Sequence, residues 1–152
     1  MTRLDLERVV ELLALRPLPP EGGLWAQSWR DEHLSAIYFL LRPGDPSAMH
    51  RLAGAEVWHF YLGAAVEMLL LHPDGRIERP VLGPELDAGH RPQVAVPGGV
   101  WQGAATTGAW SLLGTTMAPP YRDADFELGD SEALAAGWPT AASTIRALRP
   151  RR

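Results

Sequence analysis

The sequence predicts a mainly β fold, a sandwich or barrel preceded by one helix. Three observations carry this. Short apolar stretches recur from Leu24 to Met117, clusters of Pro, Gly and Asp separate them, and they do not alternate with helical segments as the strands of a parallel sheet do. A chain of 152 residues is the size of one domain, 1–152. Within it, 1–20 reads as an N-terminal helix and Pro-rich turn, 24–128 as the barrel and 129–152 as a C-terminal tail.

Leu6, Val9, Val10 and Leu13 follow the helical i, i+3, i+4, i+7 pattern, with Thr2 as a candidate cap and Asp5 nearby. Arg16-Pro17-Leu18-Pro19-Pro20 ends that helix, because proline removes donors and biases its predecessor away from helix. After the turn Glu21-Gly22-Gly23 comes a strand, 24–30, with Trp25, Gln27 and Trp29 on one parity. The next, 35–41, is apolar on both parities, as a strand covered on both faces would be. Arg42-Pro43-Gly44-Asp45-Pro46 is turn chemistry. Strands are expected at 57–62 and 66–71, joined by Gly63-Ala64-Ala65, and the Asp74-Gly75 hairpin signal leads into one strand over 76–82. Segments 93–96 and 110–117, with the Pro97-Gly98-Gly99 turn between them, complete the series. A loop or edge segment is expected at 121–128 and short helices at 131–136 and 143–148.

Composition narrows the function. Apolar residues at 46% and charged residues at 21% are ordinary for a globular protein. A net charge of −4 argues against nucleic-acid binding, and the Arg146, Arg149, Arg151, Arg152 cluster reads as a solvated tail. With no cysteine there is no disulfide, thiolate metal site or thiol nucleophile. All 14 basic residues are arginine, so no lysine can form a Schiff base. The absence of Lys, Asn and Cys beside abundant Ala, Gly, Pro and Arg fits a GC-rich genome. No apolar run has membrane-spanning length, and Arg3, Asp5, Glu7 and Arg8 occupy the place of an export signal's apolar core. The expectation is a cytoplasmic protein without membrane or nucleic-acid partners.

The most informative stretch is His50 to Gly63. It contains His50-x-Leu52-x3-Glu56-x6-Gly63, and Pro97-x-Gly99-x2-Gln102 follows later. On strands, His50 and Leu52 share one face, and Glu56, Trp58 and Phe60 form a second same-side set. These motifs resemble the two metal motifs of the cupin superfamily, with Leu52 and Gln102 where histidines are usual. More narrowly the chain resembles an uncharacterised cupin-like branch known as a domain of unknown function. The shared features are Pro20-Glu21-Gly22-Gly23, an aromatic-rich strand ending in Arg30, Ser35 to Leu41, His50-Arg51, Glu56 to Tyr61 with Gly63, and Pro97-x-Gly99-x-Trp101-Gln102. Thr115 and Pro120 depart from that family's pattern. The resemblance implies an all-β jelly-roll barrel, a double-stranded β-helix, with an N-terminal helix and short C-terminal helices.

Four readings compete for His50, Glu56 and Gln102. As a divalent metal site they supply two good ligands and one poor one, so no cofactor is expected although a divalent metal is possible. As a metal-free acid/base site, His50 is the base, Glu56 orients it, and Tyr38 supplies the complementary proton, in outline like the epimerase-type cupins. As a binding pocket, Trp58, Phe60 and Trp101 stack on a ring while His50, Glu56 and Gln102 read its polar edge, with Leu52 also in contact and Arg30 and Arg51 as forks for carboxylate or phosphate. Fourth, the cluster is simply a self-satisfied buried polar group. The functional expectation is a cupin binding a small sugar- or nucleotide-like metabolite, in an isomerase or epimerase version, with a non-catalytic binding module and a metal-dependent enzyme as alternatives.

His59 has the opposite parity and is expected to leave the interior. His33, His72 and His90 sit in turns and are expected to face solvent. Exposed aromatic early strands lead to the expectation of a homodimer.

Overall fold

The computed structural model describes residues 3–150. In chain order the elements are α1 (Leu6–Leu13), β1 (Arg16–Pro17), β2 (Leu24–Arg30), β3 (Ser35–Leu41), β4 (Ser47–Leu52), β5 (Glu56–Gly63) and β6 (Val66–Leu71). There follow β7 (Ile77–Glu78), β8 (Val81–Leu82), β9 (Gln93–Val96), β10 (Trp101–Thr106), β11 (Ser111–Met117), β12 (Phe126–Leu128), α2 (Ser131–Gly137) and α3 (Ala142–Ala147). They form two antiparallel six-stranded sheets facing each other as a jelly-roll barrel. The first runs β1-β2-β3-β11-β5-β9 and the second β12-β4-β10-β6-β7, with β8 also paired to β6.

Each layer follows from its pattern. Asp5, whose carboxylate accepts the Arg8 amide at 2.9 Å, caps α1; the Thr2 expectation lies outside the described residues. The apolar side of α1, with Val9 buried, covers Leu24, Leu40 and Leu112 on the outer face of the first sheet. Phe39, Leu41, Trp58 and Leu113 of that sheet meet Met68, Leu70 and Ala104 of the second in the barrel interior. The outer face of the second sheet is covered in turn by Leu134, Ile145 and Leu148 of the C-terminal helices. This double cover explains why β3 and β6 are apolar on both parities.

The expected strand over 76–82 is two short ones, because Pro80 has no amide donor and interrupts pairing with β6. Strand β10 carried little sequence signal, since Gly103, Ala104 and Ala105 have weak β preference. It is nevertheless central. A side chain at Gly103 would run into the Met49 sulfur at 2.5 Å, so packing, not propensity, selects glycine there. His72 is buried, not solvent-facing: Nε2 donates to Glu78 at 2.5 Å and Nδ1 accepts from Arg76 at 3.2 Å. Arg146 and Arg149 of the expected solvated tail both pair with Glu132. Among the described residues no helix is long and apolar enough to cross a membrane.

Candidate functional site

The interior left open beside the core is a cavity of about 400 Å³. One wall comes from the first sheet: Trp25, Gln27 and Arg30 of β2, Ser35 and Ile37 of β3, Thr115 and Met117 of β11. Glu56 of β5 belongs to the same sheet; a second wall comes from Leu52 of β4 and a third from the turn Leu18 to Glu21, and the segment Tyr121, Asp123, Phe126 closes the cavity.

Glu21 reaches the cavity because its turn is pinned to the start of β4. The Glu21 carbonyl accepts the Ala48 amide at 2.8 Å, and the Ser47 hydroxyl donates to the Glu21 carboxylate at 2.7 Å. Gly22, at φ +104°, lies so close that a Cβ would sit 2.3 Å from the Pro46 carbonyl oxygen, so only glycine fits there. His50 is 1% exposed and lies behind the lining. Its Nδ1–H donates to the Ala48 carbonyl at 2.7 Å, Nε2 faces Glu21 Oε1 at 3.6 Å, and its ring stacks on Phe126. The backbone bond orients the ring and directs Nε2 at the carboxylate, which it can bind when a proton lies between them.

Glu56 is the second carboxylate and is 8% exposed. Burial first, then the nearby charge of Glu21, pushes its pKa from an ordinary 4.5 up to about 7; His50, Thr115 and Gln102 pull it the other way. The Gln102 orientation is settled by Trp58, whose indole N–H donates to Oε1 at 2.7 Å and leaves the amide N–H2 for Glu56. Register keeps these groups together, with Gln102 directly opposite His50 across β4 and β10. Tyr121 also lines the cavity. Burial, a hydrogen bond donated to Asp123 and the charges of Asp123, Glu21 and Glu56 hold its phenol protonated far above its usual range.

The structure thus brings together His50, Leu52, Glu56 and Gln102, and places Arg30 on the cavity wall. Other expected site residues lie elsewhere. Tyr38 points outward from β3, edge-on to Tyr61, because its parity is opposite to Ile37 and Phe39. Trp58 is fully buried core against Phe39, and Phe60 packs on the same core. Trp101 faces the C-terminal helices, and the Arg51 guanidinium covers its ring at 4.6 Å while pairing with Glu127. The cavity aromatics are Trp25, Tyr121 and Phe126 instead. His59 leaves the interior, with Nε2 on Thr116 at 3.1 Å and its ring stacked on Tyr61. Glu21, Tyr121 and Asp123 were missed as site residues. Only Glu21 had a signal, a lone acid between proline and glycine in a turn.

The donor set does not fit the metal of metal-binding cupins. Leu52 has no donor atom, the Gln102 oxygen is taken by Trp58, and its N–H2 would meet a cation with the wrong polarity. Among the described residues no three His, Cys, Asp or Glu side chains are gathered so as to hold a metal. Protein purified and dialysed gently should therefore carry no stoichiometric transition metal by elemental analysis. A metal lost on changing His50 or Glu56 to Ala would show that this donor set does suffice.

The family model described as "Cupin superfamily (DUF985)" matches residues 7–129. An X-ray structure of a protein from Shewanella oneidensis is 33% identical, with TM-score 0.91 over 99% of this chain and 100% of that one. A hypothetical protein from Leishmania major is 25% identical, with TM-score 0.86 over 97% of this chain and 99% of that one. Oxalate decarboxylase from Bacillus subtilis, at 13% identity and TM-score 0.61, covers 91% of this chain with 38% of its own and shares the fold alone. No curated protein matches.

Proposed function

For a chain that belongs to the DUF985 family of the cupin superfamily, we propose a metal-free site that binds a small molecule in the barrel and moves a proton on it, as an isomerase or epimerase does. The observation behind this reading is the pairing of two carboxylates, half-buried Glu21 and buried Glu56, in the lining of one cavity whose closing segment carries the Tyr121 phenol. Isomerisation by proton transfer needs a group that takes a proton and one, the same or another, that gives it back. Glu56, near neutrality, can take a proton and give it back at physiological pH, whereas the Tyr121 phenol, held protonated, serves as a hydrogen-bond donor and not as the acid. Apolar Leu52, Ile37, Met117 and Phe126 exclude water around them. His50, the base expected from sequence, is better suited to position Glu21, since Nδ1 is held by the backbone and Nε2 faces that carboxylate.

The test is incubation with a metabolite library in D2O containing a chelator, with mass spectrometry for deuterium on carbon. A substrate should gain deuterium with wild type. Glu56→Gln should retain binding but slow exchange by roughly 10²–10⁴-fold, the usual contribution of a general acid/base. Ligands that bind without exchange would reduce the site to a binding module. Failure of every compound both to raise the melting temperature and to exchange would remove the proposal.

A further inference from the structure

Strand β2 does not keep a simple alternation. Gln27 pairs with Ile37 and Trp29 with Ala36, leaving Ser28 as an inserted residue, and Arg30 then pairs with Ser35. Plain alternation would turn Trp29 inward with Trp25 and Gln27 and send Arg30 outside. The bulge reverses both. Trp29 is 57% exposed, and Arg30 joins the cavity wall with its pairing partner Ser35. Bulges commonly re-aim one side chain beside a site. Here the residue gained by the cavity is a cation, and the residue given up is an apolar ring.

Arg30 is also uncommitted. Among the described residues it is the one cation of the lining. Its guanidinium makes no ion pair or hydrogen bond and lies over no ring among the described residues. Arg8, Arg42, Arg51, Arg122, Arg146 and Arg149, by contrast, each hold a carboxylate. The polar lining is divided by depth: Glu56 is buried and Glu21 half-buried, whereas Arg30, Gln27 and Asp123 are exposed at the rim. Asp123 is engaged by the Tyr121 phenol. An anion is repelled from the carboxylate end, so the rim is where one can dock, and a guanidinium fork suits carboxylate or phosphate.

We propose that Arg30, assisted by the Gln27 amide, binds an anionic group of the ligand and so orients the rest of the molecule toward Glu56. This rests on the reading of the cavity as a small-molecule site and narrows it to small organic anions, carboxylates or phosphate esters.

The experiment compares glycerol, glycerate and glycerol 3-phosphate, with inorganic phosphate alone, by ligand-observed NMR against wild type, Arg30→Gln, Arg30→Lys and Glu56→Gln. Glycerate or glycerol 3-phosphate should bind wild type roughly 10–100-fold more tightly than glycerol, the worth of a charge-assisted contact. Whichever is tighter identifies carboxylate or phosphate as the source. Arg30→Gln should abolish the preference and Arg30→Lys should keep part of it, whereas Glu56→Gln, which removes a repelling carboxylate, should not weaken it. An unchanged preference in Arg30→Gln, or tighter binding of glycerol, would overturn the assignment to Arg30 and leave the cavity reading standing. Absence of binding by all four probes to wild type would overturn the assignment, while the library screen above decides the cavity reading separately.

Discussion

Between pH 5 and pH 8 the wild-type protein should lose stability on the order of 3 kcal/mol that Glu56→Gln does not lose. The Glu56 carboxyl titrates at its ordinary 4.5 when unfolded and at about 7 when folded. Across that window the folded state binds more protons than the unfolded state, so stability falls as pH rises and levels off above about 7. At about 1.4 kcal/mol per pH unit, the gap corresponds to roughly 3 kcal/mol. His59 acts in the opposite sense: burial lowers its pKa, so its contribution is lost as pH falls below 6.5. The difference between wild type and variant cancels His59 and isolates Glu56. Urea unfolding across this range gives the answer. Parallel curves for the two proteins would mean that Glu56 ionises in the folded protein as it does in water.

The second large effect belongs to Trp58. It is fully buried, meets Phe39 edge-on at 5.9 Å and donates its indole N–H to Gln102. Trp58→Ala should destabilise by about 3–5 kcal/mol, a large part of the 5–15 kcal/mol typical of a domain. Trp58→Phe keeps most of the apolar volume but leaves the Gln102 oxygen without its donor, at about 1–3 kcal/mol. The Phe variant should also reach Glu56. With Gln102 free to turn its oxygen toward the carboxyl, the Glu56 titration should move to higher pH. A Phe variant with wild-type stability and an unmoved titration would show that this hydrogen bond fixes nothing.

Local pattern made much of the fold legible. Alternation alone put His50 and Leu52 on one face, and Glu56 and Trp58 on one face, as the structure has them. Face is only half of a site. Trp58 points inward yet sits in solid core, because whether an inward residue meets core or cavity depends on the opposite sheet. The bulge at Ser28 was not legible, since one inserted residue leaves no mark on composition while reversing Trp29 and Arg30. Tyr121 and Asp123 enter the cavity from an irregular segment without periodicity, held by bonds such as the Tyr121 amide to Ser35 at 2.9 Å. Tyr38 stays out of the cavity for the same reason that Tyr121 can enter it. A phenol inside a short sheet must have the right parity, whereas a loop can bring one in from any direction.

The pairing of β3 with β11 carries a consequence for how the protein comes into being. Ser35 meets Met117 and Leu41 meets Ser111, so the inner edge of β3 waits for a partner synthesised long after it. At translation rates of 5–20 residues per second, about 75 intervening residues amount to roughly 4–15 s. During that interval β2 and β3 can form a hairpin, but Phe39 and Leu41 have no opposing wall and one strand edge stays open. Cells making this protein rapidly should therefore accumulate aggregate in proportion to synthesis rate, and slower expression in the cold or added chaperone should raise the soluble yield. The cavity itself is younger still: it exists only once Tyr121 and Phe126 have folded back over walls laid down seconds earlier.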